Sequence, residues 1–179
     1  SQWFNAPAGG AQALQDKVVL VVFWTYSCIN SLRVLPYLRA WQAKYKDAGL
    51  VVVGVHTPEF QFETDPANVQ RATADLGVDF PVALDSQRRI WRAYDNDAWP
   101  AFYFVSADGE VRDRAVGEGN YDRSERLIQK LLAQIPGVKV PGGISAVSGI
   151  GPQAAPDFRN LGSNETYIGY GKASGFASP

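Results

Sequence analysis

The chain has one cysteine, Cys28, one histidine, His56, and no methionine. A single cysteine excludes an intrachain disulfide framework and an all-cysteine zinc site. A single histidine excludes a multi-histidine metal site, and a Ser-His-Asp hydrolase would have to use His56. No charge of one sign dominates: 17 Lys and Arg stand against 18 Asp and Glu, a net charge of -1. That balance leaves no electrostatic footprint for nucleic acid or for an anionic membrane surface. Long apolar runs are missing too. The longest, Val18 to Trp24, has the length of a strand and falls well short of the roughly 18 residues a bilayer span requires. The chain starts at Ser1 with no visible signal peptide and no initiator methionine, so a processed or excised fragment is expected.

The 179 residues are 46% hydrophobic and 20% charged, a composition that builds one folded domain with a tail. Trp3 to Asn5 suits a short strand. Val18 to Trp24 is apolar throughout and predicts a strand buried on both faces. From Ile29 to Asp47 apolar residues recur at helical spacing, and Ala48-Gly49 closes that element. Leu50 to Val55 predicts a second strand. Asp65-Pro66 opens a helix to Leu76, with an N-cap and a proline at the first helical position. Phe80 to Leu84 predicts a strand, Gln87 to Tyr94 a short helix, and Ala101 to Val105 with Glu110 to Val116 a hairpin. Ser124 to Ile135 predicts a last helix. This alternation implies an α/β fold: a mixed, mainly parallel central sheet flanked by helices on both faces. The boundary falls after residue 135. Residues 136–179 hold nine glycines and five prolines and predict an irregular tail or linker.

Cys28 follows a buried strand and opens a helix. The carboxyl ends of strands in open α/β sheets are where sites form. A helix N-terminus stabilises an anion through its free N–H groups, and the thiolate is the nucleophilic form of cysteine. Ser31, three residues on, lies on the same helix face within reach of the sulfur. The competing reading is an inert buried cysteine.

Phe23-Trp24 before Cys28, Pro36 eight residues after it, and Trp99-Pro100 before the strand Ala101 to Val105 resemble the thioredoxin superfamily. Residues 49–55 and 77–85 resemble its TlpA/ResA branch. The runs Trp24 to Asn30 and Gly54 to Phe60 are similar to the thioredoxin-like domain of DipZ-type thiol-disulfide interchange proteins. The resemblance covers residues 1–135. In the tail, Asn164 to Tyr170 and Phe176 to Pro179 resemble the start of a carbohydrate-binding-like module, truncated here.

The resemblance implies a thiol-disulfide oxidoreductase with a thioredoxin-like fold, using no cofactor and no metal. Cys28 would be the attacking thiol, and Ser31 stands where the family has the resolving cysteine. A C-x-x-S site forms a mixed disulfide but does not resolve it. Ser31 is read as an introduced replacement, with a natural monothiol protein as the alternative. Val22 occupies the position of a buried aspartate in many thioredoxins, which leaves the proton-transfer partner open. Glu59 is the substitute expected from the resemblance, as a partly buried carboxylate near the thiols; an ordinary loop glutamate is the bland reading. His56 is read as packing. Trp24, Tyr26, Trp99 and Pro100 are expected to contact substrate, with Trp24 alternatively in the core, and the Trp99-Pro100 bond is expected to be cis.

The implied partners are oxidised protein substrates and a membrane electron donor of the DsbD/CcdA type, with no nucleic acid. A monomer is expected, able to link through Cys28 as a disulfide dimer. The implied location is periplasmic or otherwise extracytoplasmic, as a soluble fragment of a membrane-anchored protein. Two further readings stay open. One is a one-cysteine thiol peroxidase, since Thr25-Tyr26-Ser27-Cys28 fits T-x-x-C although Val21 stands where that family has proline. The other is a non-catalytic binding module on a thioredoxin fold.

Overall fold

A computed structural model describes residues 2–6, 8–157, 159, 160 and 162. Six strands form one sheet: β1 (Trp3–Phe4), β2 (Val18–Trp24), β3 (Leu50–His56), β4 (Val82–Leu84), β5 (Ala101–Val105) and β6 (Val111–Val116), in the order β1-β4-β3-β2-β5-β6. Four α-helices accompany them: α1 (Ile29–Tyr45), α2 (Pro66–Asp75), α3 (Arg89–Ala93) and α4 (Tyr121–Leu132). Among the described residues no helix is long and apolar enough to cross a membrane.

Every residue of β2 is buried because each face of the strand has its own cover. Val18, Leu20, Val22 and Trp24 pack with Leu35, Leu38 and Trp41 of α1 and with Ile128 and Leu132 of α4. Val19, Val21 and Phe23 pack on the opposite face with Val53, Val55, Trp91 of α3 and Tyr103. Alternating side chains of one strand therefore seed two apolar layers, and each large side chain so buried contributes about 1.5–3 kcal/mol.

The expected mixed sheet is present, but parallel pairing is confined to its centre. β3 pairs parallel with β2 and β4, whereas β1–β4, β2–β5 and β5–β6 are antiparallel. The prediction of a mainly parallel sheet is corrected on this point. The reason is where the chain re-enters the sheet. Residues 85–100 stay at the end where β4 stops, with Asp85 N–H on His56 O and the Trp99 indole on Thr57 O. β5 thus starts at that end and runs back along β2, with Ala101 opposite Phe23.

Helix α4 starts three residues before its expected first residue. Tyr121 stacks on Tyr37 of α1, ring centroids 3.6 Å apart, so the first turn is held by packing that the local pattern does not contain. The helix stops at Leu132 as Gln134 and Ile135 donate to carbonyls three residues back.

Residues 136–157 contain one short 3₁₀ turn, Gly151–Gln153, and no strand or α-helix. They lie on the domain. Gly143 O accepts from Lys44 Nζ at 2.8 Å and from Gln129 Nε2 at 2.7 Å. Ser145 donates to Glu125 from both its N–H and its hydroxyl, and Arg39 donates to Gln153 Oε1 at 2.6 Å. The segments compared with a carbohydrate-binding-like module, 164–170 and 176–179, lie outside the described residues.

Candidate functional site

The sheet register gathers the site. Trp24 at the end of β2 is level with His56 at the end of β3, and Phe23 is opposite Ala101 at the start of β5. The loop Thr25–Ser27 leaves that edge and delivers Cys28 as the N-cap of α1. Cys28 is unpaired and half-buried. Its N–H donates to Thr25 O at 3.4 Å, and its carbonyl accepts from Leu32 N–H at 3.0 Å, which starts the helix. Cys28 therefore stands at the positive end of the α1 dipole and is only half-buried.

Ser31 is fully buried one turn further along. Its Oγ accepts from Thr25 N–H at 3.4 Å. Among the described residues this is its side-chain hydrogen bond; the expected contact with the Cys28 sulfur is not among those formed.

The buried carboxylate of the site is Glu63, and the expectation for Glu59 is corrected. Glu59 is exposed, and its part in the site is a backbone N–H donated to Glu63 Oε2 at 2.6 Å. Glu63 is fully buried in the 3₁₀ turn Gln61–Thr64. Its Oε1 accepts from the hydroxyls of Thr25 and Ser27, the latter at 2.6 Å, and its Oε2 also accepts from Phe60 N–H at 2.9 Å. Burial pushes the Glu63 carboxyl up, but the bonds from Ser27, Thr25, Phe60 and Glu59 together outweigh it and hold it below the usual carboxylate range. The carboxylate is thus ionised and immobile, and it joins the loop before Cys28 to the loop after β3. The signal for Glu63 is a glutamate at the third position of a turn, reaching back to the preceding N–H groups. With Phe60 ahead of the turn in place of Ser, Thr, Asp or Asn, that signature is only half present.

His56 is buried between Trp24, edge-on at 5.4 Å, and Tyr26, stacked at 5.5 Å. Its Nε2 lies 3.4 Å from Thr25 Oγ1. Burial lowers its pKa to about 4 against the opposing pull of Glu63, so the ring is neutral near pH 7. A neutral, enclosed imidazole fits the packing role read from the sequence.

The other expected contact residues divide. Tyr26 is partly exposed, and its hydroxyl donates to Phe62 O at 3.4 Å. Trp99 is half-buried, its indole N–H donating to Thr57 O at 3.0 Å and its ring against Trp91. The Trp99-Pro100 bond is cis, and Pro100 is buried. Trp24 is fully enclosed in the core, so it offers no surface to a substrate, and its expected place among the rim residues is corrected. Its ring fills the space over Gly54, where it packs with Phe80. A cavity of about 630 Å³ lies elsewhere, lined by Lys17, Val19, Val53, Tyr94 and Asp108. It opens toward the start of β2, away from Cys28.

A thiol at the N-terminus of α1, beside the carboxyl ends of parallel strands, defines the class by fold: a thioredoxin-like domain. The Redoxin family model matches residues 10–131, and the chain belongs to that family. It is 44% identical over 174 residues to the protein DipZ of Mycobacterium tuberculosis, covering 95% of this chain and 24% of that protein. The chain thus spans about a quarter of the length of the DipZ relative it matches. It is 27% identical over 132 residues to the thiol-disulfide oxidoreductase YkuV of Bacillus subtilis, covering 74% of this chain and 88% of YkuV. Among solved structures it is similar to a secreted disulfide oxidoreductase of Mycobacterium tuberculosis, with 25% identity and a TM-score of 0.54, covering 67% of this chain and 86% of that one. The likeness extends to the thiol-disulfide oxidoreductase ResA of Bacillus thuringiensis, 28% identical over 118 residues, which supports the resemblance to the TlpA/ResA branch.

Proposed function

We propose that this domain acts on protein disulfides outside the cytoplasm, in the reducing direction, with Cys28 as its nucleophile and Ser31 marking the position of the resolving thiol. The observation that carries the reading is the half-buried Cys28 at the start of α1 with Ser31 enclosed one turn on. The Cys28 thiolate attacks one sulfur of a substrate disulfide. A Cys28–substrate disulfide forms, and the other substrate sulfur leaves as a thiolate and takes its proton from water. Ser31 cannot displace the substrate from Cys28, so release requires a thiol from outside the chain. A complete cycle would draw two electrons from a membrane donor of the DsbD/CcdA type. The extracytoplasmic location is supported by likeness to a secreted oxidoreductase. Residues 1–135 are taken as the catalytic domain and 136–179 as its tail.

The peroxidase reading gains no support from the site: the Thr25 hydroxyl is buried and gives its proton to Glu63.

The test is reduction of insulin disulfides by dithiothreitol with the chain as it is and with Ser31→Cys. Ser31→Cys is expected to accelerate insulin precipitation at least about tenfold, while the parent is expected to keep a covalent adduct on Cys28 when dithiothreitol is left out. A Ser31→Cys protein that folds, forms no disulfide between its two thiols and leaves insulin untouched would overturn the reading.

A further inference from the structure

Among the described residues seven large apolar side chains are exposed: Trp3, Ile29, Phe60, Phe62, Val111, Val116 and Ile150. Phe60 is 50% exposed, Phe62 52% and Ile29 44%, and all three border the loop that carries Cys28. Single exposed apolar residues need no explanation, whereas a contiguous patch marks a surface that binds something.

The patch is built rather than incidental. The Phe60 and Phe62 rings lie parallel, 7° apart in plane with centroids 5.5 Å apart. Phe62 is 6.2 Å from the Tyr26 ring, and the Tyr26 hydroxyl donates to Phe62 O. Glu63 explains why the rings face water. Its carboxylate turns inward to Thr25 and Ser27 and takes the N–H of Phe60, which fixes the turn while Phe60 and Phe62 stay outside. Tyr26 precedes Cys28 by two residues, so the rings adjoin the loop that carries the thiol, and Ile29 follows Cys28 directly. Residues 58–70 contain no Lys or Arg, and Glu59 and Asp65 stand exposed beside the rings.

We propose that Phe60 and Phe62, continued by Tyr26 and Ile29, form a docking platform for an extended apolar segment flanking the substrate's reactive cysteine. This rests on Cys28 being the nucleophile toward polypeptide disulfides. The occupant is a polypeptide segment with aromatic or aliphatic side chains next to its cysteine. The exposed carboxylates favour a lysine or arginine in that segment over an acidic residue. The platform supplies affinity and selectivity, and the chemistry stays with Cys28.

The experiment uses the chain as it exists, with Ser31, and follows a single covalent step. Cys28 attacks the peptide sulfur of a peptide–thionitrobenzoate mixed disulfide; the peptide becomes disulfide-bonded to Cys28, and yellow thionitrobenzoate is released. One peptide probe carries Phe, Leu and Lys around its cysteine. The reference probe is Ellman's reagent alone. The readout is the ratio of the two second-order rate constants. Phe60→Ser combined with Phe62→Ser is expected to lower that ratio about tenfold. Phe60→Leu combined with Phe62→Leu should stay within about threefold of the parent, since the platform is apolar more than aromatic. A ratio unchanged by the serine pair, in a chain whose Cys28 reacts with both probes, overturns the platform and leaves the proposed function standing. A Cys28 that reacts with neither probe overturns both.

Discussion

Ser27 Oγ donates to Glu63 Oε1 at 2.6 Å, tying the loop that ends in Cys28 to the turn that follows β3. The same carboxylate takes Thr25 from that loop and two N–H groups from its own. The position of the thiol is thus set by a charge buried elsewhere in the sequence.

Replacing Glu63 by Gln removes that charge and turns an amide N–H₂ toward donors. A loss of about 1–3 kcal/mol in urea unfolding is expected. The rate of Cys28 alkylation should shift as well, because Thr25 and Ser27 lose their anchor. Ser27→Ala, which removes one donor only, should cost less than Glu63→Gln. Equal stability of Glu63→Gln and the parent would remove Glu63 from the frame of the site.

His56 supplies a pH dependence whose sign follows from its burial. Its pKa in the folded chain is about 4, against 6.5 when free. The folded state favours the neutral ring, so this contribution is complete above pH 6.5. It is lost as pH falls toward 4, where the unfolded chain binds the proton first, with a slope of about 1.4 kcal/mol per pH unit. As the only histidine, its ring resonance can be followed by NMR without ambiguity, and titration near 4 is expected. His56→Gln should flatten the stability curve between pH 4 and 6.5. A midpoint above 6 would contradict its enclosed position.

Glu125 acts in a lower window. Burial pushes its carboxyl up, but hydrogen bonds from Tyr45, Lys44 and Ser145 outweigh that and bring it from 4.5 to about 2. Its contribution is present above pH 4.5 and lost as pH falls toward 2. Because Ser145 bonds to it twice, Glu125→Gln should also loosen residues 136–157. The expected loss is about 2 kcal/mol, with faster amide exchange at Ser145. Unchanged exchange there would show that Lys44 and Gln129 hold the segment without it.

Gly54 lies under Trp24. A Cβ at this position would come 2.8 Å from Trp24 Nε1 and 3.0 Å from Phe80. Both rings are fully buried and have no free direction to move. Gly54→Ala is expected to cost about 1–3 kcal/mol in chemical unfolding. A neutral effect would mean that this layer repacks more freely than its burial indicates.

Much of this protein follows from local patterns. The apolar run of β2, the N-cap at Asp65, the hairpin from Ala101 to Val116 and the cysteine opening α1 depend on neighbouring residues, and they are legible for that reason. The motif around Trp99-Pro100 is legible through its resemblance to the thioredoxin superfamily. The start of α4 is less so, since Tyr121 is held by stacking on Tyr37 across the domain.

The sequence by itself determined the α/β alternation, the place of Cys28 at a strand-to-helix junction and the serine three residues later, because periodicity and spacing are properties of adjacent residues. Tertiary structure alone decided which glutamate is buried, that Trp24 belongs to the core, and that Phe60 and Phe62 face solvent. A carboxylate can be enclosed only where enough donors converge, and those of Glu63 come in part from residues 36 and 38 positions away. That convergence exists only once β2 and β3 lie side by side.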